Sequence, residues 1–357
     1  MIENEYILTV VVPAYNSEAY IERNIRSFLK TKSAGDNIFE LLIIDDGSVD
    51  DTPQILDSYA DKYPQLIHVI HKENGGHGSG INAGIKYAQG KYFKVVDSDD
   101  WVRPEAFDKL VFTLQNSDED IVASNYLWTR EKDGKHFSYE REFKDPFKGV
   151  IYGKPYDFKD IPRTTYIKMH AMTIKTSILR DNNIHIDEHC FYVDCEYILF
   201  PIPFVRTVKF IDEDVYCYLL GRAGQSMDLG KMNRNEAQYC RVLQSLLRFY
   251  DNLDPVKNAG CIPYITTAIG RIYAGYIKIM LSFPASPENK QRLIATEHEL
   301  KNRYNAIYKA NINKPIRALR LSGYLLYNMA AKKVRHPKRA GYGKARKESN
   351  EETSDRN

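Results

Sequence analysis

The sequence contains no long apolar segment. Its most apolar stretch, around Ile272 to Phe283, is short and is interrupted by Lys278. A helix that crosses a bilayer needs about 20 consecutive apolar residues. We therefore predict no membrane-spanning helix.

Cysteine is scarce as well. The chain has five cysteines, and none of them forms a CxxC pair or a spacing typical of a zinc site. No N-terminal signal peptide is evident. These observations exclude a disulfide-stapled secreted domain and a structural zinc module, and they predict free thiols in the reducing cytosol.

Acidic residues are missing from one part of the chain. Residues Lys301 to Lys347 include fourteen Lys and Arg but no Asp or Glu, although the net charge of the whole sequence is only +3. The rest of the chain must therefore be acidic overall. A basic end of this kind indicates an anionic partner, such as a membrane surface, nucleic acid or an acidic polymer.

What the sequence does contain is a repeated strand–helix pattern. With 357 residues, 43% of them hydrophobic and 27% charged, it can build a sizeable core. Short β-branched runs alternate with amphipathic stretches, and we predict strands near 7–12, 39–44, 66–70, 92–96 and 120–124. Strands that alternate with helices indicate an α/β fold with a mostly parallel sheet covered on both faces.

The fourth predicted strand carries the strongest chemical signal. Tyr92 to Val96 reads as a buried strand, and Asp97, Asp99 and Asp100 follow it directly. Unpaired carboxylates are costly in a core, but the carboxyl ends of strands are where open α/β sheets bind ligands. Asp97 and Asp99 could share one hard divalent cation that bridges substrate phosphates. The simpler interpretation is an acidic turn that caps the helix beginning at Pro104.

A glycine pattern suggests a different ligand but fits it poorly. Gly78 to Ala83 matches G-x-G-x-x-A, and Asp97 follows at roughly the distance of a dinucleotide fingerprint. That fingerprint should turn directly from the first strand into a helix. Here it follows the third predicted strand, and seven residues lie between. We therefore disfavour a dinucleotide fold.

Four short motifs occur in order at plausible spacings, starting at Val11, Ile44, Asn74 and Asp97. They read Val-Val-Pro-Ala-Tyr-Asn, Ile-Asp-Asp-Gly-Ser, Asn-Gly-Gly and Asp-Ser-Asp-Asp. Together they resemble the inverting family 2 glycosyltransferases of the non-processive bacterial type, over about residues 6 to 225. The resemblance implies a GT-A fold, in which a nucleotide-binding α/β domain merges with an acceptor-binding part. It also implies that the chain is a hexosyl- or N-acetylhexosaminyltransferase.

The same resemblance implies roles for individual residues. Tyr15 would lie beside the nucleotide base, and Asp46 would accept a hydrogen bond from it. Asp97 would face the ribose side, and Asp99 would hold Mn²⁺ or Mg²⁺ on the diphosphate, with Asp100 able to replace either. The implied donor-binding set is Pro13, Ala14, Tyr15, Asp46, Asn74, Gly75, Gly76, His77, Asp97, Ser98 and Arg222, and the metal set is Asp99 and Asp97.

The acceptor hydroxyl must lose its proton as it attacks, so the reaction needs a carboxylate base. In the family a Glu-Asp pair often opens a helix and supplies it. This chain has Val193-Asp194 and then Glu196. We predict Asp194 as the base and Glu196 as the alternative. Asp194 could also act as a helix N-cap, and the two roles are compatible.

Two further features of the sequence concern contacts to the phosphates of the donor. Relatives often carry an arginine before Asn82, where this chain has Ile81, so His77 or Lys72 is expected to supply that positive contact. The segment around Arg222 resembles a loop that closes over the diphosphate. The Gln-x-x-Arg-Trp motif of processive polymerases is absent, which favours transfer of one sugar per encounter.

The end of the chain has a helical pattern. We predict three parts: a GT-A domain over 1–226, a helical region over 227–335 and a charged, disordered tail over 336–357. Ile316, Leu319, Leu325, Leu326 and Met329 alternate with cations as in an amphipathic interfacial helix. This end either binds anionic lipid or docks on the acidic body. Nucleic acid is a weaker candidate, because few aromatic residues lie among the cations.

The predicted function is thus metal-dependent transfer of one sugar from a nucleotide-diphosphate sugar, expected to be a UDP-sugar. The acceptor would be a hydroxyl of a glycan or lipid-linked acceptor in cell-surface polysaccharide synthesis. The expected location is the cytoplasm, at the inner face of the cell membrane where the basic end binds it. The alternative is a catalytically reduced GT-A-like module that binds an anionic membrane or polymer.

Overall fold

The computed structural model describes residues 6–131, 136–221, 225, 229–311 and 313–336. Ten strands lie in this part of the chain. They are β1 (Tyr6–Ala14), β2 (Phe39–Asp45), β3 (Ile67–His71), β4 (Gly90–Val95), β5 (Trp101–Val102), β6 (Ile121–Glu131), β7 (Phe137–Arg141), β8 (Pro155–Asp157), β9 (Met172–Lys175) and β10 (Thr207–Leu220).

The described residues also form fourteen α-helices. They are α1 (Ile21–Leu29), α2 (Lys32–Gly35), α3 (Thr52–Lys62), α4 (His77–Tyr87), α5 (Pro104–Gln115), α6 (Thr176–Asp181), α7 (Asp194–Leu199), α8 (Leu229–Arg234), α9 (Glu236–Asp251), α10 (Ile262–Ser282), α11 (Pro287–Arg303), α12 (Asn305–Ala310), α13 (Lys314–Leu321) and α14 (Tyr327–Arg335).

All ten strands belong to one sheet. Its order is β3-β2-β1-β4-β9-β6-β10-β5, with β7 added beside β6 and β8 beside β10. The first four strands of this order run parallel to one another, and β6 is parallel to β10. The short strand β9 lies antiparallel between β4 and β6 and joins the two halves. The sheet is mixed where the halves meet, and parallel on the side that carries the predicted motifs.

The parallel half brings the motif residues to one edge. Within it, Ala14 of β1 pairs in register with Asp45 of β2, and Asp45 pairs with His71 of β3. The strands are buried because both faces are covered: every residue of β2 is buried, and β1 has only Ile7 partly exposed. The loops that leave β1, β2, β3 and β4 are therefore neighbours, as ligand sites in such sheets require.

The glycine-rich helix α4 packs very close to β1. A β-carbon on Gly84 would lie 2.5 Å from Val11 Cγ1, and one on Gly80 would lie 2.9 Å from Pro13 Cβ. A β-carbon on Gly78 would lie 2.1 Å from the carbonyl oxygen of Asp187. These glycines let the helix approach its neighbours, which accounts for the G-x-G-x-x-A pattern without a dinucleotide.

The C-terminal part is helical, as predicted. The 21-residue helix α10 is its centre and packs against α9, α12 and α14. None of the described helices has both the length and the apolar character needed to cross a membrane. The mostly parallel α/β class with a helical C-terminal region is thus confirmed, whereas the exact domain boundaries stay a prediction.

The basic end differs from the single amphipathic helix that the sequence suggested. It forms two helices, α13 and α14, separated by a turn in which Gly323 and Tyr324 have positive φ angles of 56° and 64°. Ile316 and Leu319 are buried in the core rather than exposed for lipid. Apolar side chains remain exposed at Leu321, Leu325 and Met329. The predicted tail lies outside the described residues except for His336.

Candidate active site

Asp46, directly after β2, organises the first of the loops. Its two carboxylate oxygens accept hydrogen bonds from the backbone N–H groups of Gly75 and Gly76, at 2.9 and 2.7 Å. Lys72 Nζ donates to the same carboxylate at 2.7 Å, and Asn74 Nδ2 donates to the Asp46 carbonyl at 2.9 Å. A carboxylate can accept about four hydrogen bonds, so Asp46 holds the Asn74–Gly76 loop and still has capacity for a ligand donor.

The loop after β1 presents Tyr15. Its ring is 51% exposed, while the neighbouring Ala14 is buried and its carbonyl accepts from Asp46 N–H at 2.8 Å. Asn16 adopts a φ of 47° and its side chain accepts from Val49 N–H at 2.9 Å. The turn is therefore fixed to the loop after β2, and it leaves the Tyr15 side chain about half exposed.

The turn after β4 is the most heavily supported part of the site. The buried side chain of Asn24 donates to the carbonyls of Asp97 and Asp100 at 3.0 and 2.9 Å. The Asp100 carboxylate accepts from Tyr216 O–H at 2.5 Å and from Leu219 N–H at 2.7 Å. Burial, together with the charges of Asp99 and Asp97, raises the pKa of Asp100 well above its usual range.

Ser98 and Asp99 complete that turn. Ser98 Oγ lies 2.7 Å from Ser17 Oγ, which links the turn to the loop after β1. Asp99 is 8% exposed, and its carbonyl accepts from Arg23 Nη2 at 3.1 Å. Both predicted residues thus belong to the edge of the sheet where the other motif residues lie.

Three potential metal ligands converge here. Oxygen atoms of Asp97 and Asp100 and a ring nitrogen of His170 all lie within 4.8 Å of one another. His170 Nδ1 is buried and makes no hydrogen bond, and burial lowers the pKa of His170 to about 3. A neutral imidazole beside two carboxylates is a donor set that can hold a divalent cation.

This group differs from the metal set expected from the sequence. Asp97 is common to both, but the structure brings Asp100 and His170 to it, whereas Asp99 is not part of the group. Nothing in the sequence links His170 to a turn about 70 residues earlier, so the sequence did not predict its place in this group. Asp99 as a metal ligand stays a prediction.

His77 connects the glycine loop to this turn. It is the first residue of α4, and its Nε2 lies 2.8 Å from Asp97 Oδ1. Burial opposes the charged imidazole, but Asp97 and the nearby Asp194 and Asp99 more than compensate and raise the pKa of His77. Lys72, the other candidate for a phosphate contact, is engaged with Asp46.

Asp194 and Glu196 occupy different environments. Asp194 opens α7, and its pKa is raised by burial and by the charge of Asp97 and lowered by His77, so it lies within electrostatic reach of both groups. Glu196 is fully buried, and its Oε2 accepts from Asp187 N–H at 2.8 Å. Residues two apart on a helix do not share a face. Asp194 is therefore the carboxylate near the turn, and Glu196 supports the segment before α7.

Asn82 supports that segment from the other side. Its side chain donates to the carbonyl of Ile186 and to Glu188 Oε1, at 2.9 and 3.0 Å, and accepts from Ile186 N–H. Ile81, where relatives often carry arginine, is fully buried. Arg222, the predicted diphosphate contact, lies outside the described residues.

Comparison with known sequences agrees with the motif analysis. Residues 9–185 match the domain family described as glycosyl transferase family 2. Over 258 residues the chain is 30% identical to the minor teichoic acid biosynthesis protein GgaB of Bacillus subtilis strain 168, covering 71% of this chain and 27% of that protein. It is 36% identical over 134 residues to glycosyltransferase GlyG of Streptococcus pneumoniae serotype 4, covering 37% of this chain and 43% of that protein. The chain thus spans less than half of either curated relative.

A solved structure matches over nearly the whole chain. Residues 1–349 of Staphylococcus aureus TarS, in complex with UDP-GlcNAc, superpose with a TM-score of 0.60 at 18% identity. The match covers 92% of this chain and 90% of that chain. At this identity the likeness shows the fold, and it confirms the predicted GT-A arrangement.

Proposed function

Through residues 9–185 the chain belongs to glycosyl transferase family 2, and we propose that it transfers one sugar, with inversion, from a UDP-sugar to a hydroxyl of a cell-envelope glycan or lipid-linked acceptor. The observation that carries this proposal is the convergence of Asp97, Asp100 and His170, with Asp194 within electrostatic reach of Asp97. A nucleotide-diphosphate donor needs a cation for its phosphates, and the acceptor needs a base. The described residues offer groups for both.

The donor would lie along the edge of the sheet. Tyr15 supplies an exposed ring for the base, and Asp46 has acceptor capacity for its N–H groups. Asp97, Asp100 and His170 would hold a divalent cation, which neutralises charge that develops on the leaving diphosphate. His77, whose pKa is raised, adds a hydrogen-bond donor on the same side.

Asp194 would act as the general base. The acceptor oxygen attacks the anomeric carbon, the bond from that carbon to the diphosphate oxygen breaks, and the hydroxyl proton passes to the Asp194 carboxylate. A single displacement of this kind inverts the anomeric centre. A raised pKa makes the carboxylate a stronger base.

The substrate classes rest on the relatives. One is named for teichoic acid biosynthesis, and the solved neighbour was crystallised with UDP-GlcNAc. A panel of nucleotide sugars, screened for Mn²⁺-dependent thermal stabilisation and then for transfer to envelope polymer fragments, tests the proposal. Stabilisation by UDP-sugars is expected; a panel in which no nucleotide sugar binds with or without metal would contradict the proposal.

We also propose that the basic end places the enzyme at an anionic membrane surface. The exposed Leu321, Leu325 and Met329 follow one another at four-residue intervals. Lys332 and Lys333 on α14 are exposed close by in the chain. Apolar side chains at the headgroup boundary with cations around them are typical of interfacial binding, and each cation contributes roughly 1 kcal/mol at such a surface.

A further inference from the structure

A cavity lies beside α1, next to the turn after β4. Its volume is about 820 Å³, within the range of about 300–1,000 Å³ typical of small-molecule sites. It is bounded by α1, by β5 with the start of α5, and by β7. We call it the α1–β5 groove. None of its lining residues belongs to the Asp97, Asp100 and His170 group.

The groove is strongly cationic. Four basic side chains line it, namely Arg23, Arg26, Lys30 and Arg103, against one carboxylate, Glu22. Glu22 lies 3.4 Å from Arg26, and Asp214, outside the lining, lies 3.9 Å from Arg103. The lining therefore keeps an excess of positive charge, although the overall composition of the body is acidic.

One of these cations is held rigidly. The guanidinium of Arg23 lies 4.1 Å from the centre of the Trp101 ring and 5.2 Å from that of Phe137. It also donates to the Asp99 carbonyl at 3.1 Å. Its Nε is buried without a hydrogen-bond partner. Because the Arg23 side chain is already ordered, little of its conformational entropy is lost when an anion binds near it.

The aromatic residues decide between ligand classes. Trp101 is only 8% exposed, and Arg23 covers its face, whereas Tyr139 is 51% exposed. Single-stranded nucleic acid needs several free ring faces for successive bases, and the groove offers one. A single exposed ring beside a row of cations instead suits a sugar or polyol unit with an anionic substituent. The planar fork of arginine matches phosphate and carboxylate groups.

We propose that the α1–β5 groove binds an anionic carbohydrate, a sugar or polyol chain that carries phosphate or carboxylate groups. Tyr139 packs against the carbon skeleton, and Arg26, Lys30 and Arg103 contact the anionic groups around the fixed charge of Arg23. This inference rests on the proposed function. The groove would bind a part of the acceptor polymer that is distant from the reacting hydroxyl. The groove then explains how an enzyme with an acidic body retains a polyanionic acceptor.

The test is direct binding by calorimetry at low and moderate salt. The probes are a glycerol phosphate oligomer, an oligogalacturonate and a neutral maltooligosaccharide of equal length. We expect the wild type to bind one or both anionic probes and not the neutral one, and the preferred probe identifies phosphate or carboxylate. Arg26→Glu with Lys30→Glu should weaken that binding by about tenfold or more, because two cations that contact the anionic groups are replaced by carboxylates that repel them.

Matched controls keep the result specific. Arg248→Glu with Lys257→Glu makes the same charge change on an exposed surface of the helical region, and Arg317→Glu with Lys332→Glu makes it at the basic end. Both should leave probe binding within about twofold. Tyr139→Ser, which changes no charge, should weaken binding of the preferred probe.

Several outcomes would overturn the proposal. They are unchanged binding in the groove variant, loss of binding only in the basic-end variant, equal binding of the neutral probe, and tighter binding of an oligothymidylate. Binding of UDP with Mn²⁺ is measured in every protein. If the wild type does not bind UDP with Mn²⁺, the proposed function fails, but binding of an anionic probe in the groove still stands. If the wild type binds UDP but no anionic probe, only the groove proposal fails.

Discussion

The Nε2 atom of His77 lies 2.8 Å from a carboxylate oxygen of Asp97. The two residues belong to different segments, since His77 opens α4 and Asp97 lies in the turn after β4. Asp194 acts on the pKa of His77 from a third segment, at the start of α7. The proposed phosphate ligand, metal ligand and base therefore form one electrostatic unit, and changing one should affect the others.

Asp97→Asn should abolish metal-dependent donor binding. The substitution removes one carboxylate from the predicted cation site and one partner of His77. Calorimetry with UDP, with and without Mn²⁺, should show a loss of about tenfold or more in the metal-dependent affinity. The exposed Asp118→Asn is the control and should behave as wild type.

The remaining metal ligand is decided by a pair of variants. Asp100→Asn keeps an amide oxygen that can accept from Tyr216, but it removes a carboxylate from the group of three. We expect it to lose metal-dependent UDP binding more strongly than Asp99→Asn. A loss confined to Asp99→Asn would instead favour the assignment made from the sequence.

Asp194→Asn should leave UDP binding nearly intact while sugar transfer falls by a factor of about 10² to 10⁴, the usual contribution of a general base. Glu196→Gln is the matched control, because its carboxylate accepts from Asp187 N–H in the core. It should reduce stability more than it reduces transfer by the folded enzyme. The opposite pattern would make Glu196 the base.

The pH dependence of stability should show the contribution of His71. Its Nδ1 lies 2.7 Å from Asp45 and its Nε2 lies 3.0 Å from Asp57, and these hydrogen bonds raise its pKa. Because the pKa of His71 is raised in the folded state, its protonation stabilises the protein fully at pH values below the unfolded pKa of about 6.5. This stabilisation is lost as the pH rises through the folded-state pKa. Because the imidazole is 44% exposed, we expect about 1 kcal/mol or less.

Urea unfolding at about pH 5.5 and about pH 8.5 measures this effect. The advantage of the wild type over His71→Gln should be larger at the lower pH. The same substitution at the exposed His298 should give no such difference. If the stability difference between the wild type and His71→Gln instead increases with pH, this prediction is wrong.

Membrane binding is tested by cosedimentation with vesicles. The full chain should bind anionic vesicles in a salt-sensitive way and should not bind neutral ones. Replacing Leu321, Leu325 and Met329 with serine should remove the binding and leave donor hydrolysis unchanged. Val256→Ser, at an apolar position that is 85% exposed elsewhere, is the control. Equal binding to both kinds of vesicle, or none at low salt, would remove the membrane proposal.

A buried ion pair holds α13 in place. Arg320 Nε and Nη2 donate to Glu297 of α11 at 2.5 and 2.9 Å, and Glu297 is 1% exposed. Arg320→Ala should destabilise the fold by about 3–5 kcal/mol, because it leaves the carboxylate uncompensated. Arg317→Ala, three residues earlier and exposed, should change the unfolding free energy by about 0.5 kcal/mol or less. Similar effects for both variants would contradict this role.

The parallel half of the sheet was predictable because its strands are continuous apolar runs with chemically distinctive turns. β10 was missed, since its centre reads Asp212-Glu213-Asp214. These carboxylates lie where the pairing with β6 shifts register, and Asp212 and Asp214 form ion pairs with Arg141. Arg141, more than 70 residues earlier, thus neutralises the carboxylates and lets this polar segment form a strand.

The candidate site also has a part that could be predicted from the sequence and a part that could not. The residues of each turn were readable, because a turn after a strand is a local feature. The grouping of Asp97 and Asp100 with His170 was not, because it depends on how β9 brings the segment around residue 170 beside β4. The separation of Asp194 from Glu196 depended on the start of α7 and on the burial of each side chain.

The antiparallel β9 also constrains how the chain can acquire its structure during synthesis. β1 to β4 can pair once the first 95 residues have left the ribosome, but their sheet cannot be joined to β6 before Met172–Lys175 emerges. Over that interval a nascent chain carries an open edge on β4, and open edges invite pairing with other chains. Slower translation between residues 95 and 175 would lengthen this exposure, so we expect this stretch to determine how much the protein needs chaperones.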